Sequence, residues 1–528
     1  MKPSQIQILL AGLLVDVVSS QAPKCPDYSI YSKSRHEPFS SGKHALSSAR
    51  PAPSCRTFNS TTVETLLSNM TLALADPDLY RLFENTYPNT LDTAIRWRGH
   101  AADNRAEELA FIITGDIDAM WLRDSANQLQ SYLALVEPDP AAANQPDSIA
   151  SLYRGVINLQ ARYLLTAPFC NSFQPPPESG IPPASNPAAA SDIVFPTYDK
   201  SAVFECKYEL DSLAAFLQLS TDYYETTHDA DFFGKFLWLE ALQAVLETAK
   251  SMTAPTYDPD TGAVLPSAYT FTRQTTRSTE TMANDGLGSP VRETGMIRSA
   301  FRPSDDATML QFLVPANMMF ARYLGSAKLI VDALADRAPA GLADEMAAFS
   351  TSIREAVTKH GIVPVVSTNG SGVETVYAYE VDGYGGAVVM DDANLPSLLA
   401  APLSGDLSNI DPVYVRTRAR LLSADGNPYF MKGSVLDAIG GPHAGPGMAW
   451  PMASIVRILT SNDDEEIVRV LRELIGSTDG LGLMHESVNS NNASQWTRQW
   501  FSWANGLFGQ MILDLRVRKP HILQQSFQ

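Results

Sequence analysis

From about residue 60 to residue 515 the chain is one long succession of amphipathic helical patterns. Apolar residues recur at helical spacing over 62–73, 77–87, 121–136, 147–166, 206–225, 231–251, 306–331, 341–358, 394–401, 411–422, 448–460, 463–475 and 502–515. Start signals stand ahead of some of them: Ser304 before Asp305-Asp306, and Ser461-Asn462 before the acidic turn Asp463 to Glu466. Each amphipathic helix has one stripe to bury, so the helices must cover one another. No period of 20–50 residues repeats as sequence identity, which argues against a solenoid. About a dozen helices joined by short and long connections suit an all-α fold, the (α/α)₆ barrel. In it, inner helices line the core and long loops at one end build a pocket. A single domain over 57–528 is therefore expected, although a prior of about 150 residues per domain suggests three or four for 528 residues.

The remaining stretches are irregular. Residues 23–56 are rich in Pro, Ser and charge and read as an extended N-terminal arm. Residues 171–198 are Pro- and Ala-rich and read as a surface insertion. Residues 361–392 read as short strands around the loop Asp382-Gly-Tyr-Gly-Gly. At the start, Lys2 precedes a mostly apolar stretch over 6–18 and small residues over 19–22, so 1–22 is expected to be a cleaved signal peptide. The alternative is a short membrane anchor, but the stretch falls below the roughly 20 apolar residues a span needs. No later segment is long and apolar enough to cross a membrane.

Four cysteines fit the same route, with Cys25–Cys55 and Cys170–Cys206 as the expected pairs because each closes a modest loop. No CxxC motif or Cys/His cluster points to zinc. Acceptor sequons occur at Asn59, Asn69, Asn369 and Asn492. The expected location is outside the cell or in the secretory lumen, and the expected state is a monomer. The charge sum of −19, without a Lys/Arg cluster, speaks against a nucleic-acid partner.

Five segments combine acids, aromatics and donors in ways that solvated faces rarely do. Ile113 to Leu129 holds Asp116, Asp118, Trp121, Arg123 and Asp124 where a loop becomes a helix. Sugars need this mixture: carboxylates accept from hydroxyls, Arg donates, and an indole packs on the C–H face. A capped helix start with a salt bridge is the alternative. Phe204 to Leu213 crowds Glu205, Glu209 and Asp211 at a helix start, where the helix dipole alone explains acids.

Met296 to Ala321 places Arg298 and Arg302 before Asp305-Asp306, an arrangement that can tune a carboxyl or simply cap a helix. Glu380 to Ala400 carries Asp391, Asp392 and Asn394 at a further helix start; its glycines do not follow a dinucleotide-binding plan. Last, Glu486 sits on a non-helical segment ahead of Trp496, Arg498, Trp500 and Trp503, with His443 on a related Gly-rich loop. Glycoside hydrolysis needs two carboxyls, and acids are too many here for spacing alone to pick the pair.

The phrases TGDIDAMWLRDS, FECKYELDS, FRPSDDA, DDANLPSLLA and HESVN…RQWFSWAN stand in the order found in glycoside hydrolase family 125, and over roughly 60–515 the chain resembles that family. The resemblance implies an (α/α)₆ barrel and an exo-α-1,6-mannosidase that inverts at the anomeric carbon, with no metal and no cofactor. The substrate would be a mannose-containing oligosaccharide from mannan or an N-glycan. It places the general acid at Asp305 or Asp306, with a pKa expected to be raised, and the general base at Glu486. Asp116, Asp118, Trp121, Arg123, Asp124, Asp391, Asp392 and Asn394 become walls of the sugar subsite, with Arg298, Arg302, His443 and Arg498 as additions. Three alternatives stand beside it: a calcium-dependent processing mannosidase, a non-catalytic carbohydrate-binding protein on the same barrel, and a lyase acting on acidic polysaccharide.

Overall fold

A computed structural model describes residues 25–137, 145, 148–368 and 370–528. The expected signal peptide and the Asn369 sequon lie outside them. Twelve helices of nine residues or more dominate the described residues. We number them α1 (Thr61–Met70), α2 (Pro77–Thr86), α3 (Leu122–Gln130), α4 (Ile149–Thr166), α5 (Leu210–Thr227), α6 (Trp238–Ser251), α7 (Val314–Leu334), α8 (Leu342–His360), α9 (Pro412–Leu421), α10 (Pro451–Leu459), α11 (Asp464–Gly476) and α12 (Ser502–Arg518). Side-chain caps set several starts. Ser60 accepts from the Val63 amide, Asp76 from Asp78 and Leu79, Ser148 from Ser151, and Asp411 from Val413 and Tyr414. Asp463, not Ser461, caps α11.

Two classes of helix emerge from burial. α8 and α11 each hide a single stripe, Leu342, Met346, Ile353 and Val357 in the first and Ile467, Val470, Leu471 and Leu474 in the second. α5, α7 and α12 are buried nearly all round. These central helices pack in sequence, α12 on α3, α3 on α5 and α5 on α7, while α10 packs on α12. Asn127 of α3, Asp222 of α5, Tyr323 of α7, Leu459 of α10 and Gln510 of α12 line one common space, together with Leu395, Pro396, Ala400, Leu403 and Ser404.

The chain is not purely helical. Seven small sheets of two or three strands occupy the connections among the described residues. Two of them carry the site: β1 (Met120–Trp121), β2 (Ser172–Phe173) and β3 (Val203–Glu205) form one antiparallel sheet. The other comprises β4 (Met448–Ala449), β5 (Ser487–Asn489) and β6 (Asn492–Thr497).

Several sequence expectations change here. The helix expected over 306–331 begins only at Val314. Ahead of it, Asp305 lies in the left-handed region at φ 63°, and Glu380 takes the amides of Met309 and Leu310, so the backbone there cannot enter a helical ladder. The helix expected over 394–401 is reduced to the short turn Ala401–Ser404. Pro396 disfavours helical backbone at Leu395, and the Asp391 carboxyl takes the amides of Leu398 and Leu399. Residues 171–174, the start of the Pro-rich stretch, are buried rather than superficial.

Both expected disulfides are formed. The segment 25–56 makes two short helical turns, Tyr28–Tyr31 and Pro53–Cys55, and between them lies against α2, where Asn85 bonds the backbone of Ser47 and Ala49. Asn59, Asn69 and Asn492 are exposed. Among the described residues no helix is long and apolar enough to cross a membrane.

Candidate active site

The first wall is built on β1, β2 and β3. The Cys170–Cys206 disulfide ties their ends, and the residue after each cysteine, Asn171 and Lys207, faces the site. Asn171 Oδ1 accepts from the Lys207 amide at 3.0 Å, which locks the two together. Their shared target is Asp305. Its Oδ1 accepts from Trp121 Nε1 at 3.4 Å and Asn171 Nδ2 at 3.2 Å, and Arg123 Nη2 stands 3.8 Å away. Lys207 Nζ donates to the Asp305 carbonyl at 2.9 Å. The left-handed backbone of Asp305 turns its carboxyl into the pocket and is held there by these donors.

The second wall is built on β4, β5 and β6. Glu486 immediately precedes β5, and its amide donates to the carbonyls of Thr497 and Arg498, both at 3.2 Å. Glu486 Oε2 accepts from Thr497 Oγ1 at 2.9 Å, and Oε1 faces Arg498 Nη1 at 3.3 Å. Arg498 is itself braced by Asp116 at 2.8 Å, by Thr114 Oγ1 at 2.9 Å, and by the Phe501 ring at 4.7 Å. Gly115 permits this bracing: it adopts φ 133°, and a Cβ there would stand 2.1 Å from the Trp500 carbonyl.

Between the walls lies a small pocket. It is lined by Asp305 and Glu486, by the aromatic rings of Trp121, Trp450, Phe501 and Trp503, and by Arg123, Asp124, Asn394, His443 and Arg498. Burial alone would lower the His443 pKa. The adjacent Asp306 carboxylate, with the charges of Glu486 and Asp305, outweighs it and raises it to about 9, so the ring is an imidazolium donor at neutral pH. Burial would likewise raise Asp305, but Lys207 and Arg123, then a hydrogen bond from Glu209, hold its carboxyl well below the usual range. The raised pKa expected of the acid is therefore not found on Asp305 itself; it is found on Glu209, where burial is the main cause.

The structure sorts the sequence candidates. Asp305, Glu486, Trp121, Arg123, Asp124, Asn394, His443 and Arg498 share the pocket. Three stand one step behind it: Asp116 braces Arg498, Asp392 accepts from Ser304 Oγ at 3.0 Å, and fully buried Asp306 lies 3.6 Å from His443 Nδ1. Four are not brought to the pocket. Asp118 pairs with Arg96 on the surface at 3.1 Å, and Arg298 donates to the Met252 carbonyl. Arg302 is bound to Glu380 at 2.6 Å inside the protein. Asp391, raised to about 8 chiefly by burial, serves the turn at Leu398–Leu399.

Sequence reasoning missed Asn171, which carries no local signal, and Lys207. It read Glu209 as a dipole-favoured acid; the carboxyl makes no capping bond and turns to Arg123. Of the three tryptophans after Glu486, only Trp503 lines the pocket. Trp500 donates to Thr93, and Trp496 stacks on His485.

Comparison with known proteins agrees with this arrangement. A family model described as metal-independent alpha-mannosidase (GH125) matches residues 76–513. The Meiotically up-regulated gene 157 protein of Schizosaccharomyces pombe is 46% identical over 503 residues, 95% of this chain and 94% of that protein. A solved metal-independent alpha mannosidase of Streptococcus pneumoniae, in a non-productive complex with alpha-1,6-mannobiose, superposes with a TM-score of 0.74. It is 32% identical and covers 88% of this chain and 100% of its own. The chain belongs to the metal-independent alpha-mannosidases of family GH125.

Proposed function

We propose that this α-mannosidase is an inverting, exo-acting α-1,6-mannosidase in which Asp305 is the general acid and Glu486 the general base. The observation that carries this reading is the pairing of these two carboxyls in one pocket, each held by a separate sheet and a separate set of donors. Asp305 delivers a proton to the glycosidic oxygen as the C1–O bond breaks. Glu486 removes a proton from a water that attacks C1 from the other face. Inversion needs space for that water, with the carboxyl groups about 6.5–9.5 Å apart. Trp121 and Trp503 offer apolar faces to the sugar C–H surface, and the His443 imidazolium offers a donor to its hydroxyls.

Three further parts belong to the same proposal. The packed series α3, α5, α7, α10 and α12, closed by the segment 395–404, supports an (α/α)₆ barrel with the catalytic end at the helix N-termini. The two disulfides support a secreted or luminal location. The protein acts as a monomer on mannose-containing oligosaccharides from mannan or N-glycans. The family match replaces the calcium-dependent and lyase alternatives. A purely binding role would need neither carboxyl.

The bound alpha-1,6-mannobiose of the Streptococcus protein motivates the choice of linkage. Purified enzyme is expected to release mannose from α-1,6-mannobiose, with the α-1,2 and α-1,3 isomers turned over at least about a hundredfold more slowly, a gap of roughly 3 kcal/mol in transition-state stabilisation. Comparable rates on all three would reject the linkage assignment. No turnover of any isomer would favour the binding-protein reading.

A further inference from the structure

We propose that Glu209 is the proton store of the general acid: a buried carboxylic acid that passes its proton to Asp305 during turnover. The proposal rests on Asp305 being the acid.

The argument begins with charge. Arg123 is buried and faces four carboxyls: Glu209 at 2.5 Å, Asp211 at 3.1 Å, Asp124 at 3.4 Å and Asp305 at 3.8 Å. The other cations near this group are shared with further acids. Lys207 also serves Glu205 at 3.6 Å, while Glu205 has a second partner in Arg273. Arg498 and His443 act on Asp124 and Asp305 from the pocket side, but they are held by Glu486 and Asp116 and by Asp306. Tyr269, the remaining titratable group near Glu209, is neutral because burial keeps its hydroxyl protonated. Four ionised carboxylates around one dedicated cation, three of them buried and only Asp305 open to the pocket, would carry a large desolvation cost, so the group retains a proton.

Geometry decides where the proton sits. Asn171 Nδ2 reaches both Glu209 Oε1 and Asp305 Oδ1 at 3.2 Å, and Arg123 faces both, so the two carboxyls are neighbours that share two donors. Neighbouring carboxyls repel when both are ionised, which favours one proton held between the two. Asp305 has Lys207, Arg123, Trp121 and His443 around it, all favouring its ionised form. Glu209 is 1% exposed, absent from the pocket wall, and accepts hydrogen bonds from Arg123, Asn171 and Ser212. At rest the proton is on Glu209. It is a positioning residue that touches no sugar and acts through Asp305.

The cycle balances. Glu209–COOH gives its proton to Asp305–COO⁻, which gives it to the leaving oxygen as the glycosidic bond breaks. The attacking water forms the new C1–OH and leaves its second proton on Glu486. Afterwards Glu486 loses that proton to solvent, and the Glu209–Asp305 pair takes one up.

Glu209→Gln copies the neutral form and keeps the contacts with Arg123 and Asn171, but it has no proton to give. On α-1,6-mannobiose at neutral pH its kcat is expected to fall by about 100-fold or more. The loss should shrink as the pH is lowered, because Asp305 can then take its proton from water, so the alkaline limb of the kcat profile moves to lower pH. An aryl α-mannoside with a good leaving group needs no proton, and its kcat should stay within a few fold of wild type. Equal losses on both substrates at every pH would overturn the proposal, as would a wild-type profile. If Asp305→Asn spares mannobiose hydrolysis, the underlying assignment of the acid has failed instead. An infrared difference spectrum, wild type minus Glu209→Gln at neutral pH, should show a buried protonated carboxyl; a carboxylate band in its place would refute the store.

Discussion

Glu486→Gln is expected to lower kcat on α-1,6-mannobiose by two to four orders of magnitude, about what a positioned general base contributes. The affinity for the disaccharide, measured by calorimetry, should stay within a few fold. The substitution is close to isosteric, and the site can receive it. The carbonyl of the new amide can face Arg498, whose other contacts to Asp116 and Thr114 remain. The amide nitrogen can donate to Thr497 Oγ1, because the Ser487–Thr497 hydroxyl pair at 2.6 Å can reverse its direction. What disappears is a basic oxygen aimed at water. A loss below about tenfold would remove Glu486 from the role of base.

The second large effect separates the two substrates by leaving group. Asp305→Asn should cost two to four orders of magnitude in kcat/KM on α-1,6-mannobiose, whose departing alkoxide must be protonated. On a nitrophenyl α-mannoside the loss should stay below about tenfold. Asn is well suited to the left-handed backbone at this position, and its carbonyl can still accept from Trp121 and Asn171. The variant should therefore fold, which thermal unfolding would check. Equal losses on both substrates would move the acid elsewhere. Asp306 would be examined first, although its buried carboxyl faces His443 and not the pocket.

Much of this was legible in the sequence because it is local. The helices that begin at Thr61, Pro77, Ile149 and Asp464 carry their apolar stripes and capping residues within a few positions of each other. The pair Asp305-Asp306 and Glu486 were singled out by the family resemblance of FRPSDDA and HESVN, because the acids are too many for local spacing to choose among them. The errors arise where distant residues decide. The stretch 306–313 looks like a helix start, and only Glu380, more than 60 residues further on, keeps it open by taking two of its amides. Arg302 and Arg298 resembled substrate donors, since an arginine's partner cannot be read from its neighbours.

The proposed choice of Asp305 over Asp306 rests on one positive φ angle, which no pattern of residue types encodes. Glu209 was hidden for a different reason. An acid at a helix N-terminus is already explained by the dipole, so its partnership with Asp305, 96 positions away in sequence, had no separate signature.

The central claim is a pair of carboxyls that invert the anomeric centre in a single displacement, and the most direct test is the configuration of the first mannose released. Proton NMR recorded within the first minutes of α-1,6-mannobiose hydrolysis, before mutarotation mixes the anomers, reads it without ambiguity. The account predicts β-mannose first. α-Mannose first would mean retention through a covalent intermediate and would contradict the assignment of Glu486 as a base acting on water.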